Sequence, residues 1–306
     1  MKTEVNLAGI VMKNPVMTAS GTFGYGKEFS RFYNLDRLGA IVAKSATLRP
    51  REGNPTPRIA ETTSGMLNSI GLENPGIDIF LREAILFLED YEVPLIVNLS
   101  ENCINDFAEA TKRLSVDRVS GLEVNVSCPN VEGEGMLFGT SERATYDVVQ
   151  AVRKATDKTL IVKLTPNVTD IVKIARAAYE AGANALSMIN TVLGMAIDVR
   201  TRKSKVHGNK RYVAGLSGPC IKPIGVRCVY QVYKSGIPLP IVGMGGVMNG
   251  EDAIEYILAG ATAVAVGTAN FVNPLAAVKV IEGIEAYMKE QWVEDVNELR
   301  GAMKEL

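Results

Sequence analysis

The chain has 306 residues, with 33 lysines and arginines against 34 aspartates and glutamates, a formal charge of −1. A hydrophobic content of 47% can fill a core, which excludes a disordered chain; balanced charge and 6% aromatics exclude the basic or stacking surfaces of nucleic-acid binders. The single histidine, His207, excludes a His-rich metal site, and no nucleophile motif stands near it to form a triad. Chemistry here must run on other groups or on a bound cofactor.

In chain order, Met1–Asn6 lacks the apolar stretch of a signal peptide, and no apolar run reaches the roughly 18 residues of a membrane span. Cys103, Cys128, Cys220 and Cys228 form no C-x-x-C pair, so reduced thiols in a cytoplasmic protein are expected. Val5–Leu7 and Ile10–Met12 flank Ala8-Gly9 and predict a short hairpin. Continuous apolar runs then predict buried parallel strands over Pro15–Thr18, Ala40–Val42, Pro94–Val97, Gly121–Val126, Thr159–Leu164, Ala185–Ile189, Pro240–Val242 and Ala263–Val266. Helical patterns lie between most of them. Ser141, Thr169 and Asn249 are predicted N-caps, Gly182 and Gly260 are predicted stops, and Asn273-Pro274 is predicted to open a further helix.

Ala181–Ala185 and Ala259–Ala263 repeat one pattern of helix end, glycine turn and strand. Eight strands with intervening helices predict an α/β fold, a (β/α)8 TIM barrel forming a single domain over residues 1–306; a doubly wound open sheet is the alternative. The irregular region Thr47–Gly71 is too long for a simple turn and is predicted to be a functional insertion over the C-terminal face.

The predicted strand ends carry Ala19-Ser20-Gly21, Lys44-Ser45, Asn98, Asn125 with Ser127-Cys128, Lys163, Asn190-Thr191, Gly243–Gly246 and Gly267-Thr268. One asparagine at a strand end is ordinarily a turn residue. Three asparagines and two lysines at equivalent ends supply amides and cations, with hardly a carboxylate among them, which suits a polar heterocycle and anionic groups. Gly243-Met244-Gly245-Gly246 and Gly267-Thr268, with the helix starting at Asn249, predict a phosphate site. Their spacing is not G-x-G-x-x-G, so a mononucleotide such as FMN fits better than a dinucleotide. Cys128 could accept a proton if its pKa were tuned, and the glycine-interrupted stretch Val131–Gly139 is read as a mobile lid. The basic run Arg200–Arg211 around His207 is read as a solvated loop.

Several segments together resemble dihydroorotate dehydrogenases: Asn14–Gly24, Gly65–Gly76, Asn125–Asn130, Gly215–Pro219 and Gly243–Val247. Gly-Thr-Phe-Gly at 21–24 and Gly-Met-Leu-Asn at 65–68 resemble the class 1B catalytic subunit. The resemblance implies FMN-dependent oxidation of dihydroorotate to orotate in pyrimidine biosynthesis, with Cys128 as the base at substrate C5 and hydride passing from C6 to N5 of FMN. It implies substrate contacts from Lys44, Asn68, Ser69, Ile70, Gly71, Leu72, Asn125, Asn190 and Thr191. For FMN it implies Ser20, Gly21, Lys44, Ser45, Asn98, Asn125, Lys163, Ile189, Gly215, Met244, Gly245, Gly246, Gly267 and Thr268, with Lys163 stabilising the charge of the reduced form. No metal is expected in this chain. A homodimer of catalytic chains is implied, within a heterotetramer whose partner subunit carries FAD and a 2Fe-2S cluster and passes electrons to NAD. The alternatives are a class 1A-like enzyme reducing fumarate without a partner, a non-redox barrel enzyme binding a phosphorylated substrate, and a barrel that serves as a scaffold.

Overall fold

A computed structural model of the chain describes residues 1–126, 138–207 and 213–304. Eight parallel strands form the central sheet: β1 Val16–Thr18, β2 Ile41–Ala46, β3 Leu95–Leu99, β4 Val119–Asn125, β5 Thr159–Leu164, β6 Ala185–Met188, β7 Ile241–Met244 and β8 Ala263–Val266. They pair in chain order, and β8 returns to β1 through Val264↔Val16, Ala265↔Met17 and Val266↔Thr18. Between β1 and β2 the backbone contact is thin, a bridge of Met17 with Ala40. Thr18 strengthens this seam, because Val42 N–H donates to its Oγ1 at 3.0 Å and its hydroxyl donates to Val42 O at 3.4 Å. The order is that of a (β/α)8 barrel and differs from the open doubly wound alternative.

The reason for the barrel lies in the strands. β7 and β8 are buried at every position, as a strand covered on both faces must be. Amphipathic helices cover the outside, including Ile104–Leu114, Glu142–Ala155, Ile171–Glu180, Lys222–Lys234, Gly250–Leu258 and Ala276–Glu290. Ser141 caps its helix as expected, accepting from Ala144 N–H. Asn249 does so with Asp252 in a reciprocal capping box. The cap expected at Thr169 falls instead on Asp170, whose carboxylate accepts from Val172 and Lys173 N–H. The helix expected from Asn273-Pro274 begins at Ala276, with Asn273 Oδ1 accepting from Leu275 N–H in the turn before it.

The two ends of the barrel are finished differently. The hairpin Val5–Leu7/Ile10–Met12 sits at the N-terminal end. Thr159 Oγ1 donates to Ala8 O at 2.9 Å, and the Ile10 side chain packs where Gly121 has none. At the C-terminal end, a four-stranded antiparallel sheet joins two loops. Its order is Val192–Gly194, Ala214–Ser217, Gly65–Asn68, Ile59–Thr62. The insertion after β2 therefore holds a hairpin, and the connection after β6 supplies the other two strands. Of the basic run, residues 200–207 are described: Lys203–Ser204 pairs with Ile197–Asp198 just before the run, and His207 N–H donates to Pro57 O at 2.6 Å.

Candidate active site

A cavity of about 340 Å³ opens at the C-terminal ends of the barrel strands, beneath the four-stranded sheet. Most of the predicted residues line it: Ser20, Gly21, Lys44, Ser45, Asn68, Ile70, Gly71, Leu72, Asn125, Lys163, Ile189, Asn190, Thr191, Met244, Gly245, Gly246, Gly267 and Thr268. Ser69, Asn98 and Gly215 stand behind the lining. Ser69 is fully buried and takes a hydrogen bond from Asn54 Nδ2 at 2.9 Å. Cys128 and its neighbours over 127–137 lie outside the described residues.

On the β2–β6 side the lining is made of linked side chains. Lys163 Nζ donates to Ser20 Oγ at 3.1 Å, across from β5 to the end of β1. Asn190 Nδ2 donates to Asn125 Oδ1 at 3.3 Å, which orients one amide by the other. Ser45 Oγ donates to Asn98 Oδ1, and Asn98 Nδ2 passes the chain on to Glu123 Oε1 at 2.6 Å. Asn98 thus holds Ser45 in the wall.

On the β7–β8 side the lining is largely backbone. Gly245 has φ 117° and Gly246 has φ 73°, a region that glycine enters without steric cost. A Cβ on Gly246 would stand 2.8 Å from Lys222 Cβ and 2.9 Å from Gly218 O. From below, the buried Tyr256 hydroxyl meets Gly245 O at 2.8 Å and Met244 O at 3.1 Å, fixing the turn. Thr268 Oγ1 donates to Ser217 Oγ at 2.8 Å, tying the end of β8 to the overlying sheet. The helix after Asn249 was the expected anion-facing end. Its cap is already internally paired, since Asp252 Oδ2 accepts from Met248 N–H at 2.9 Å and Asn249 N–H at 3.3 Å. The backbone of Gly245–Met248, just before that cap, lines the cavity together with Gly267–Ala269, at the start of the short helix Ala269–Val272. A short extra helix after the eighth strand is a common part of barrel phosphate sites.

The overlying sheet brings Asn68 to the mouth, where its Nδ2 donates to Gly215 O at 3.2 Å. Gly215 has no room for a side chain, because a Cβ would lie 2.4 Å from Thr191 Oγ1. The turn carrying Gly71 and Leu72 is held by Asn74, whose Nδ2 donates to Leu72 O at 2.7 Å and whose Oδ1 accepts from Gly76 N–H at 2.9 Å.

Burial lowers the Lys44 pKa below its ordinary value; the Glu73 carboxylate opposes that shift and the Arg58 guanidinium adds to it. Glu73 itself lines the cavity and is ion-paired with Arg58. The sequence reading assigned no role to Glu73, Ser217 or Glu123. Glu123 is the least expected, a carboxylate 1% exposed inside the barrel. Its signal was available in strand alternation, which puts residues 121, 123 and 125 on one face.

Fold and pocket together define a (β/α)8-barrel protein whose functional face is the C-terminal mouth. The dihydroorotate dehydrogenase family model matches residues 2–288, and the chain belongs to that family of oxidoreductases. It is 54% identical over 303 residues to the dihydroorotate dehydrogenase B (NAD(+)) catalytic subunit of Desulforamulus reducens, covering 99% of this chain and 98% of that one. It is 52% identical over 300 residues to the protein so named in Alkaliphilus metalliredigens, covering 98% of each chain. The crystal structure of DHODH from Eimeria tenella in complex with ferulenol matches the fold with a TM-score of 0.82 at 24% identity, covering 98% of this chain and 88% of that chain. Among the described residues, no helix is long and apolar enough to cross a membrane.

Proposed function

We propose that the chain is the catalytic subunit of an NAD-linked dihydroorotate dehydrogenase, holding FMN and oxidising dihydroorotate to orotate. The observation that carries this reading is the pocket's division of labour, with bare glycine backbone on one wall and cations and amides on the other. Gly245, Gly246 and Gly267 with Thr268 suit a phosphate, which needs close approach to backbone N–H groups. Gly21 leaves open space where a Cβ would stand, so a flat ring can approach the end of β1. Bound FMN supplies hydride acceptance. Lys163, held by Ser20, is assigned to the ring's pyrimidine end, where its cation offsets the charge of the reduced form.

For substrate, Asn68, Asn125, Asn190 and Thr191 are assigned to the dihydropyrimidine ring and its carboxylate, with Lys44 as the carboxylate's counter-charge. Ser69 and Gly215 are assigned to shaping the wall, one by tying the 68–72 turn to Asn54 and the other by accepting from Asn68. Cys128 is assigned as the base that removes the C5 proton while hydride leaves C6, an assignment supported by the family-like segment Asn125–Asn130. A second subunit with FAD and a 2Fe-2S cluster is assigned the onward path to NAD, on a homodimer of these chains. The relatives' shared designation as a catalytic subunit supports a separate electron-transfer partner.

Copurification of the untagged chain from its native host tests the assembly. A flavoprotein with an iron–sulfur spectrum is expected, and a lone dimer active with fumarate would replace NAD by the class 1A alternative. Cys128→Ser tests the base: turnover at neutral pH should fall by at least a hundredfold, within the usual range of about 10²–10⁴ for a general base. Unchanged turnover would remove Cys128 from that role.

A further inference from the structure

Beneath the pocket floor, Glu123 of β4 is the hub of a buried polar cluster. Its Oε1 accepts from Asn98 Nδ2 at 2.6 Å, and its Oε2 accepts from Ser187 Oγ at 2.8 Å. Lys163 Nζ stands 3.6 Å from Oε1. Glu123 is 1% and Lys163 5% exposed, so water screens this pair little. Strand register explains the meeting. Glu123 lies two residues before Asn125, on the same inward face; Asn125 is in register with Lys163, and Lys163 with Ser187. Removing a carboxylate from water is costly unless it is paired and hydrogen-bonded. A position that needed only volume could be filled by a leucine or glutamine.

We infer that Glu123 is a positioning residue for the flavin site: it anchors Lys163 from below and sets how much of the Lys163 charge the bound flavin feels. This rests on the proposed placement of FMN against Lys163. The ammonium is shared between the flavin above and a fixed carboxylate below. The pair is close to neutral, so the oxidised and reduced forms are held with a smaller difference than a lone cation would impose. Asn98 couples the same carboxylate to Ser45 in the wall, and Ser187 holds its second oxygen.

Glu123→Gln tests the charge with little change of shape. The amide oxygen can still accept from Asn98, and the Ser187 hydroxyl can turn from donor to acceptor for the amide N–H. The readout is the two-electron midpoint potential of FMN bound to the purified full chain, followed spectroscopically. Glu123→Gln should favour the reduced over the oxidised flavin by about tenfold, a rise of about 30 mV for a two-electron couple. Glu123→Asp keeps the charge but draws it away from Lys163, and should give a smaller rise. A purely packing role predicts the reverse order, because Asp opens a gap and Gln does not. An unchanged or lowered potential in Glu123→Gln with flavin retained overturns this inference and leaves the proposed function standing. If Glu123→Gln fails to fold, an unchanged or lowered potential in Glu123→Asp overturns it. No flavin binding by the wild-type chain overturns both.

Discussion

The two walls of the pocket are built on opposite principles. The β7–β8 wall offers backbone: Gly245 and Gly246 sit at positive φ, Gly267 lacks a side chain, and Tyr256 clamps the turn from below. The β2–β6 wall offers side chains: Lys44, Ser45, Asn125, Lys163 and Asn190, of which Ser45 is hydrogen-bonded through Asn98 to Glu123, Lys163 is ion-paired with Glu123, and Asn190 is hydrogen-bonded to Asn125. A backbone wall has few ways to vary and breaks by steric intrusion. A side-chain wall can be retuned, since charge and orientation are carried by replaceable groups.

The sharpest way to break the contrast is to fill the backbone wall. Gly246→Val places a branched side chain at φ 73°, against Lys222 and the Gly218 carbonyl. Strain of this kind costs about 1–3 kcal/mol; a free turn that relaxes away from it must be restored by FMN, so affinity in a fluorescence titration should fall by about 5- to 150-fold. Near-normal affinity would show that the turn is not the phosphate cradle. A smaller effect follows from Tyr256→Phe, which keeps the packing and deletes the hydroxyl under Met244 O and Gly245 O. Denaturant titration should show a loss of about 1–2 kcal/mol, together with faster FMN release. A stability loss with unaltered release would confine Tyr256 to the core.

The mildest test concerns the side-chain wall and pH. Burial lowers the Lys44 pKa, so its cation is lost at lower pH than for an ordinary lysine near 10.5. Orotate binding that needs the cation is strongest below the folded-state pKa and weakens as pH rises through it. Lys44→Arg keeps its charge throughout and should abolish that alkaline fall, even if affinity at neutral pH drops through altered geometry. An alkaline limb that survives in Lys44→Arg would assign the titration to another group.

Most barrel strands were legible because parallel strands buried on both faces leave continuous apolar runs, and β5 and β8 match their predicted limits. β2 was read as ending at Val42 but runs to Ala46, because Lys44 and Ser45 are polar strand residues at the mouth. Asp170 was missed as a cap because Thr169 beside it has the same local chemistry, and only geometry shows which oxygen reaches Val172 and Lys173 N–H. The strands Gly65–Asn68 and Ala214–Ser217 are short and glycine-bearing and take their register from each other across the fold, so neither segment carries a signal alone. The site's residue types were legible, but its connectivity was not. Glu123 lies within a run that reads as one more buried strand, and its importance emerges only when Asn98, Lys163 and Ser187 converge on it.

Anaerobic mixing of the purified chain with dihydroorotate tests the central claim most directly. The protein should carry one FMN per chain, and a stoichiometric amount of dihydroorotate should bleach its visible absorbance and release orotate. A chain that carries no flavin after FMN addition, or one whose flavin stays oxidised in excess dihydroorotate, would contradict the account.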